Sequence, residues 1–537
     1  MTRLLRPTRL LAVAAMAGVA LLPAVGVLAD HDPEPGTQAW YQRDVDNMVR
    51  AHGRLQDQYT NPAFHQELQW ATLDTFTDNV IDQGTHPDRP IVTLGQWVPG
   101  GRAADPYRTT WEQDGRGVQV PFEYHNRYGA RITGNVWAPK LPFADPVTGT
   151  ATTGPLPGVV ITTGSIQGFE EMYLWAAQGL AEAGYVVMTY DVQGQGQSET
   201  FGHQPDGSLW CNQDGCPGVP FQQAANFFEG TEEALVWFLS DRNPLRGLVD
   251  DARLGLAGHS LGATAVSQVG NREVPVPDDV FAAMGVEPFD IDIDAVIGWD
   301  NASVPETDAV TGQPLAPRVP TMGQNAEYFF STTPRSDAGN PDSATGTFER
   351  FRAAGVPAMQ VALRSSTHLE WTYIPLILPA SQEGERVAMH YTLGWFDRWL
   401  KGGEDALAAD GDEAVAQAVD AQRRLGARTL DGSADASAIG AGTWDLEAGN
   451  VPHTLEGEAV ADQLSFYLRS ALAFDGVDCP DLRHGCGDLQ FVAPAADDGS
   501  GSGSGNGGGP GGGKPDDRPV PPGRGGPPGT STGLRAI

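Results

Sequence analysis

Residues 107–401 are predicted to form a largely parallel α/β sheet covered by helices on both faces, on three observations. Short apolar runs recur at 158–163, 185–190, 253–258, 295–299, 319–323 and 358–363, with the near-continuous apolar character of strands buried on both sides. Amphipathic helical stretches lie between them, the clearest at 385–400, where Val387, Tyr391, Trp395 and Trp399 recur every four residues on one stripe. The two kinds of segment alternate, which is the pattern of parallel strands joined by helical crossovers. With 111–124 and 130–137 read as an opening antiparallel pair, the expected sheet has eight strands.

The flanking regions differ in composition. Arg3, Arg6 and Arg9 precede an apolar run over 10–28 that ends in the small-residue site Val27-Leu28-Ala29. Pro23 and Gly26 interrupt this run, which barely reaches the roughly 20 apolar residues a membrane span needs. Residues 1–29 therefore read as a signal peptide, and the mature chain as secreted, extracellular and without stable membrane insertion. Residues 30–106 form a polar N-terminal helical extension, with Trp40, Met48, Leu55, Phe64, Leu68 and Leu73 as candidate packing residues. Residues 402–493 read as a C-terminal appendage packed on the core, with a strand-like run at 464–468. From 494 to 537 the chain is mostly Gly, Ser, Pro, Ala and Asp, a composition that predicts a disordered tail.

Four cysteines form two close pairs, Cys211 with Cys216 and Cys479 with Cys486. Neither has the Cys-x-x-Cys spacing of a structural zinc site, and an oxidising compartment favours bridges, so two short-loop disulfides and no metal are expected. Asp and Glu number 68 against 34 Lys and Arg, a net charge of −34. That balance excludes nucleic acid as a partner and repels polyanionic substrates, while neutral ones suffer no penalty. It reads as a solvated acidic surface on a protein expected to be a monomer.

The chemistry concentrates at Gly258-His259-Ser260-Leu261-Gly262, where an apolar strand runs into Gly-x-Ser-x-Gly and an alanine-rich helix start. A nucleophile elbow needs this context, because the serine sits on a strained turn and the glycines let neighbouring backbone approach. The pattern recurs at 529–533, but there without strand or helix. A hydroxyl needs a base, and of His368, His390, His453 and His484 only His368 follows an apolar strand and precedes the last core helix. Glu327, beyond the run at 319–323, is the expected acid partner, with Asp300 and then Asp337 as rivals. The amides of Leu261 and Ser165 are the expected oxyanion donors, the latter from the loop after the third strand.

Other signals are weaker. Gly194-Gln195-Gly196 lacks the third glycine of a phosphate loop and reads as a tight turn. Asp290, Asp292 and Asp294 alternate with isoleucines as at a strand edge and lack a calcium-loop glycine. The connection 301–318 is too short for a large helical lid, which leaves 198–222 as the substantial insertion near the active face.

Thr163-Gly164-Ser165, residues 191–198, residues 258–262 and Ser366-Thr367-His368 occur in an order that resembles the α/β-hydrolase superfamily over residues 108–401, and most closely exported bacterial carboxylesterases. The resemblance implies a Ser260–Glu327–His368 triad, no cofactor, and a small-molecule or polymeric ester as substrate. Thr163-Gly164 stands where many members have His-Gly, and Glu327 stands for the commoner aspartate.

Overall fold

The computed structural model describes residues 37–60, 62–89, 111–113, 115–144, 151–165, 168–211, 223–300, 302–329, 346–372, 382–401, 454–455, 458–459, 463–474 and 477–483. All fall in the first of the two units into which the chain divides, Met1–Pro494. The expected leader and tail, Cys216, Cys486, His453, His484 and Asp337 lie outside the described residues.

The strands of the main sheet are β1 (Gly117–His125), β2 (Arg131–Pro139), β3 (Leu156–Thr162), β4 (Val186–Tyr190), β5 (Val249–His259), β6 (Ala295–Trp299), β7 (Thr321–Tyr328), β8 (Ala358–Thr367), β9 (Ala471–Phe474) and β10 (Val477–Cys479). The helices are α1 (Gln38–Thr60), α2 (Pro62–Thr85), α3 (Leu174–Glu182), α4 (Ala224–Leu239), α5 (Leu261–Asn271), α6 (Asp278–Met284), α7 (Gly346–Ala354) and α8 (Gln382–Phe396). Spatial order is β1-β2-β4-β3-β5-β6-β7-β8-β9-β10. Strands β3 to β8 run parallel, and the β1–β2 hairpin joins antiparallel to β4.

Ten strands replace the expected eight because the appendage extends the sheet. Strand β9 pairs antiparallel with Ala358–Gln360 of β8, and β10 pairs with β9. Left alone, β8 would present an edge of unpaired amides and carbonyls, and the appendage covers it. The strand-like run at 464–468 is not a strand: Leu464 makes a single bridge to Leu363 and the pairing begins at Ala471. Ser470 explains the offset, since its hydroxyl accepts the Ala362 amide at 2.9 Å in place of a strand carbonyl.

Side chains alternate between two cores. Val159, Ile161, Val187, Ala257, Ile297 and Trp299 face α3 and α8, while Val160, Val186, Met188, Leu256 and Val296 face α4, α5 and α6. This two-residue period, apolar on both faces, explains the unbroken apolar runs. Each fully buried valine, isoleucine or leucine contributes about 1.5–3 kcal/mol by leaving water. The chain leaves β3 through α3 on one face and β5 through α5 on the other. Neighbours whose connections diverge leave a crevice at their carboxyl ends, where ligands of such sheets bind.

The N-terminal extension contains helices α1 and α2, but Met48 and Leu73 are exposed, at 56% and 58% of their surface. Helix α1 docks instead through Arg43 and Asn47, which are buried. The Arg43 guanidinium lies 4.7 Å from the Phe466 ring centroid, and the Asn47 amide donates to Glu327 at 2.8 Å. Polar docking of this kind leaves no apolar periodicity to read. Asp294, expected at a strand edge, lies in the coil before β6, where its carboxylate accepts the Leu254 amide at 2.7 Å.

Truncation after Lys401 would strip β9 and β10 from β8 and expose Leu363 and Val361. Thermal unfolding of that form is expected below that of the full chain, or preceded by aggregation. An unchanged Tm would mean that the appendage does not support the sheet.

Candidate active site

Ser260 occupies the one-residue turn between β5 and α5, with φ 56° and ψ −119°. A non-glycine residue there is strained, and the surroundings hold it: the Ser260 amide donates to the Trp299 carbonyl at 3.0 Å. The flanking glycines are steric requirements. A β-carbon at Gly258 would stand 2.6 Å from the Gly262 carbonyl oxygen, and one at Gly262 would stand 2.3 Å from that of Thr163. The Thr163 contact also brings the loop after β3 against the start of α5.

Register brings the partner groups to Ser260. His259 pairs with Trp299, so Ser260 and Asp300 are each the first residue beyond adjacent strands β5 and β6. His368 is the first residue after β8, following Thr367. Its Nε2 lies 2.9 Å from Ser260 Oγ, and its Nδ1 hydrogen-bonds Asp300 Oδ2. The other oxygen of Asp300 accepts the Ala326 amide at 2.9 Å, and its own amide donates to the Gln324 carbonyl at 2.6 Å. With the carboxylate accepting from Nδ1–H, Nε2 is the acceptor for the Ser260 hydroxyl. Such an arrangement can take a proton from Ser260 and stabilise the imidazolium that results.

Asp300 therefore occupies the position expected for Glu327. Strand β7 continues beyond the end of β6: Gln324 pairs with Trp299, and Glu327 lies three residues further on. There it is fully buried and engaged elsewhere. One carboxylate oxygen accepts Asn47 Nδ2 at 2.8 Å and the Ser365 amide at 2.7 Å; the other accepts the Ser465 hydroxyl at 2.6 Å and the Phe466 amide at 3.2 Å. Burial raises its pKa against the opposing effect of these donors. Glu327 thus joins α1, the appendage and the strand carrying His368. The usable sequence signal for Asp300 was its offset, since Gly298-Trp299-Asp300 repeats the strand-end position of Gly258-His259-Ser260.

Leu261 follows Ser260 at the first position of α5, and Ser165 lies three residues beyond the end of β3, which pairs with β5 at Thr162 and Gly258. Both expected oxyanion donors thus belong to segments that meet at the elbow. His259, whose own chemistry sequence reasoning passed over, is buried among Tyr173, Trp371 and His368. Burial depresses its pKa to about 3, followed by the effect of the neighbouring His368. Phe329 lies 4.3 Å from the His368 ring, centroid to centroid, and is 38% exposed. His390 is buried within α8.

Residues 302–320 contain no helix. The described part of the insertion at 198–211 packs on the β1–β2 turn, where Trp210 meets Tyr128, and not on Ser260. A groove of about 1070 Å³ lined by Tyr124, His125, Trp210 and Trp237 belongs to this β1 edge and includes none of Ser260, His368 or Asp300. Among the described residues, one grouping could hold a metal ion: Asp88, Glu199 and His203 offer ligand atoms within 4.8 Å of one another, also near that turn. No free cysteine is found among the described residues, and both expected bridge partners, Cys216 and Cys486, lie outside them.

Two predictions separate the carboxylates and test the buried imidazole. Asp300→Asn is expected to lower kcat on the order of 10,000-fold while the fold melts normally; Glu327→Gln is expected to spare kcat far more and lower stability by about 1–3 kcal/mol, as read by ester turnover and denaturant unfolding. His259 accepts a proton near its ordinary 6.5 when unfolded but only near 3 when folded. Its contribution to stability is therefore present above pH 6.5 and lost as pH falls toward 3, with a slope of up to about 1.4 kcal/mol per pH unit. Urea titrations at pH 7, 6, 5 and 4 should show this loss in the wild type and a shallower one in His259→Gln.

No model of a known protein family and no curated protein matches the sequence. Among solved structures, the chain is similar to a ferulic acid esterase from Streptomyces cinnamoneus at 16% identity, over 56% of this chain and 94% of that one, with a TM-score of 0.35.

Proposed function

We propose that this chain is a secreted serine hydrolase of the α/β-hydrolase fold, cleaving neutral carboxylic esters through a Ser260 acyl-enzyme. The observation that carries the reading is the meeting of three groups from three strand ends: Ser260 Oγ 2.9 Å from His368 Nε2, with Nδ1 of the same ring on Asp300. His368 takes the hydroxyl proton as Ser260 attacks the ester carbonyl, and returns it to the departing alcohol. Water then attacks the acyl carbonyl as His368 takes its proton, and the Ser260 Oγ–acyl bond breaks as His368 returns that proton to Oγ, releasing the acid. The negative oxygen of each tetrahedral intermediate is held by the amides of Leu261 and Ser165. Nucleophile, base and orienting carboxylate all come from the chain itself, so the reaction calls for no cofactor.

The exposed Phe329 ring beside His368 supports an apolar group on the leaving or acyl side. The absence of helix over 302–320 supports an open site able to take bulky or polymeric acyl groups. Secretion rests on the leader-like residues 1–29, which also make the two cysteine pairs disulfides in this reading. The acidic surface favours neutral substrates and a monomer.

A fluorophosphonate probe should label the wild type and leave Ser260→Ala unlabelled. In a panel of esters and amides, Ser260→Ala should lose on the order of a million-fold in kcat. Preference for amides would move the reading to a peptidase, transfer to an added alcohol would move it to an acyltransferase, and confinement to very short acyl chains would remove the open site. Equal labelling of Ser260→Ala would end the proposal.

A further inference from the structure

We propose that His259, the residue before the nucleophile, is a positioning residue that works with Tyr173 to tie the Gly164 amide to the main chain of His368. The inference rests on the serine-hydrolase reading above and assigns a role to the buried imidazole that the reaction does not use.

Hydrogen-bond chemistry leaves one arrangement of protons. His259 Nε2 lies 2.9 Å from the His368 carbonyl oxygen, which can only accept, so Nε2 carries the proton. In the neutral ring Nδ1 must then accept, and the group beside it is the Tyr173 hydroxyl at 3.0 Å. That hydroxyl donates to Nδ1, and its oxygen accepts the Gly164 N–H at 3.0 Å. The chain therefore runs in one direction, from the Gly164 amide to Tyr173, to His259, to the backbone of His368. A second proton on His259 would leave the Tyr173 hydroxyl proton without this acceptor, and the depressed pKa of the ring keeps that form out of reach.

Packing makes the linkage stiff. Tyr173 and His259 are buried at 0% and 2% exposure, and the His259 and His368 rings lie 4.7 Å apart. A β-carbon on Gly164 would stand 2.8 Å from His259 Nδ1, and one on Gly168 would stand 2.3 Å from the Gly164 carbonyl oxygen. Because the Gly164 N–H is committed to Tyr173, it is not an oxyanion donor, and the loop's donor is the next amide, that of Ser165. The orientation of the peptide preceding that amide is set by the Tyr173 hydroxyl, while the other end of the linkage holds the backbone from which the His368 ring reaches Ser260. A shift of about 1 Å in either element costs on the order of 100-fold in rate.

The test compares Tyr173→Phe, His259→Leu and His259→Gln in the full chain, alongside wild-type labelling by a fluorophosphonate. Tyr173→Phe and His259→Leu are expected to lower kcat by about 10–100-fold with KM within about threefold, and to weaken binding of a boronic acid transition-state analogue by the same factor. His259→Gln, whose amide can both donate and accept, should recover most of that loss. The double variant Tyr173→Phe/His259→Leu should be no worse than His259→Leu, because both break one linkage.

The inference is overturned if both single variants keep kcat within threefold, if boronate affinity does not follow kcat, or if His259→Gln behaves as His259→Leu. Should the variants not fold, ring-nitrogen NMR of the wild type decides: a neutral Nε2–H His259 at pH 5 supports the linkage, and the Nδ1–H tautomer or a protonated ring refutes it. A wild type that is neither labelled nor active on esters removes the serine-hydrolase reading together with this one, whereas a labelled wild type with indifferent variants removes this one alone.

Discussion

The register between β5 and β6 is the constraint on which the site depends. Because His259 pairs with Trp299 in parallel strands, the first residue past each strand, Ser260 and Asp300, lies side by side at the carboxyl edge of the sheet. Both have positive φ, so both chains turn sharply where the strands end. One backbone hydrogen bond, from the Ser260 amide to the Trp299 carbonyl, locks the two turns together. A slip of one residue would reverse the side-chain faces of a strand buried on both sides and put Ser260 into a core.

The second organising feature is the amount of polar chemistry buried around this edge and the hydrogen bonds that tie it together. Glu327 accepts four hydrogen bonds from three separate parts of the chain, and Gln324 bonds both Trp371 and Thr392. Buried donors and acceptors left unpaired cost about 1–3 kcal/mol each, so such networks admit few alternative geometries. Because Ser365 of β8 is held by Glu327, the strand that delivers His368 is anchored by the N-terminal extension and the appendage as well as by its neighbours. Elements distant from Ser260 in sequence thereby act on the position of His368.

Charge is distributed by the same logic. In a chain with twice as many acids as bases, several arginines are kept for the interior. Arg127 reaches Glu232 and Glu233, and Arg272 reaches Asp308 and the same Glu232, with all three carboxylates at most 5% exposed at the side chain. Removing one such arginine would leave a buried carboxylate uncompensated, which is far costlier than losing a surface pair.

Local sequence made the sheet and the strained turn at Ser260 legible, and it placed His368 at a strand end. Unbroken apolar runs state that a strand is covered on both faces, Gly-x-Ser-x-Gly between strand and helix states a strained turn, and His368 directly after a strand states its edge position. These follow from contacts within a few residues. The carboxylate that meets His368, the two extra strands and the partners of His259 were decided only in three dimensions. Asp300 and Glu327 both follow apolar runs, and which one meets the imidazole depends on how far β7 extends past β6. The strand at 471–474 lies more than a hundred residues from the strand it pairs with, and His259 gains its partners from the residue before α3 and the residue after β8. Such outcomes depend on register and long-range pairing, which no short window of residues encodes.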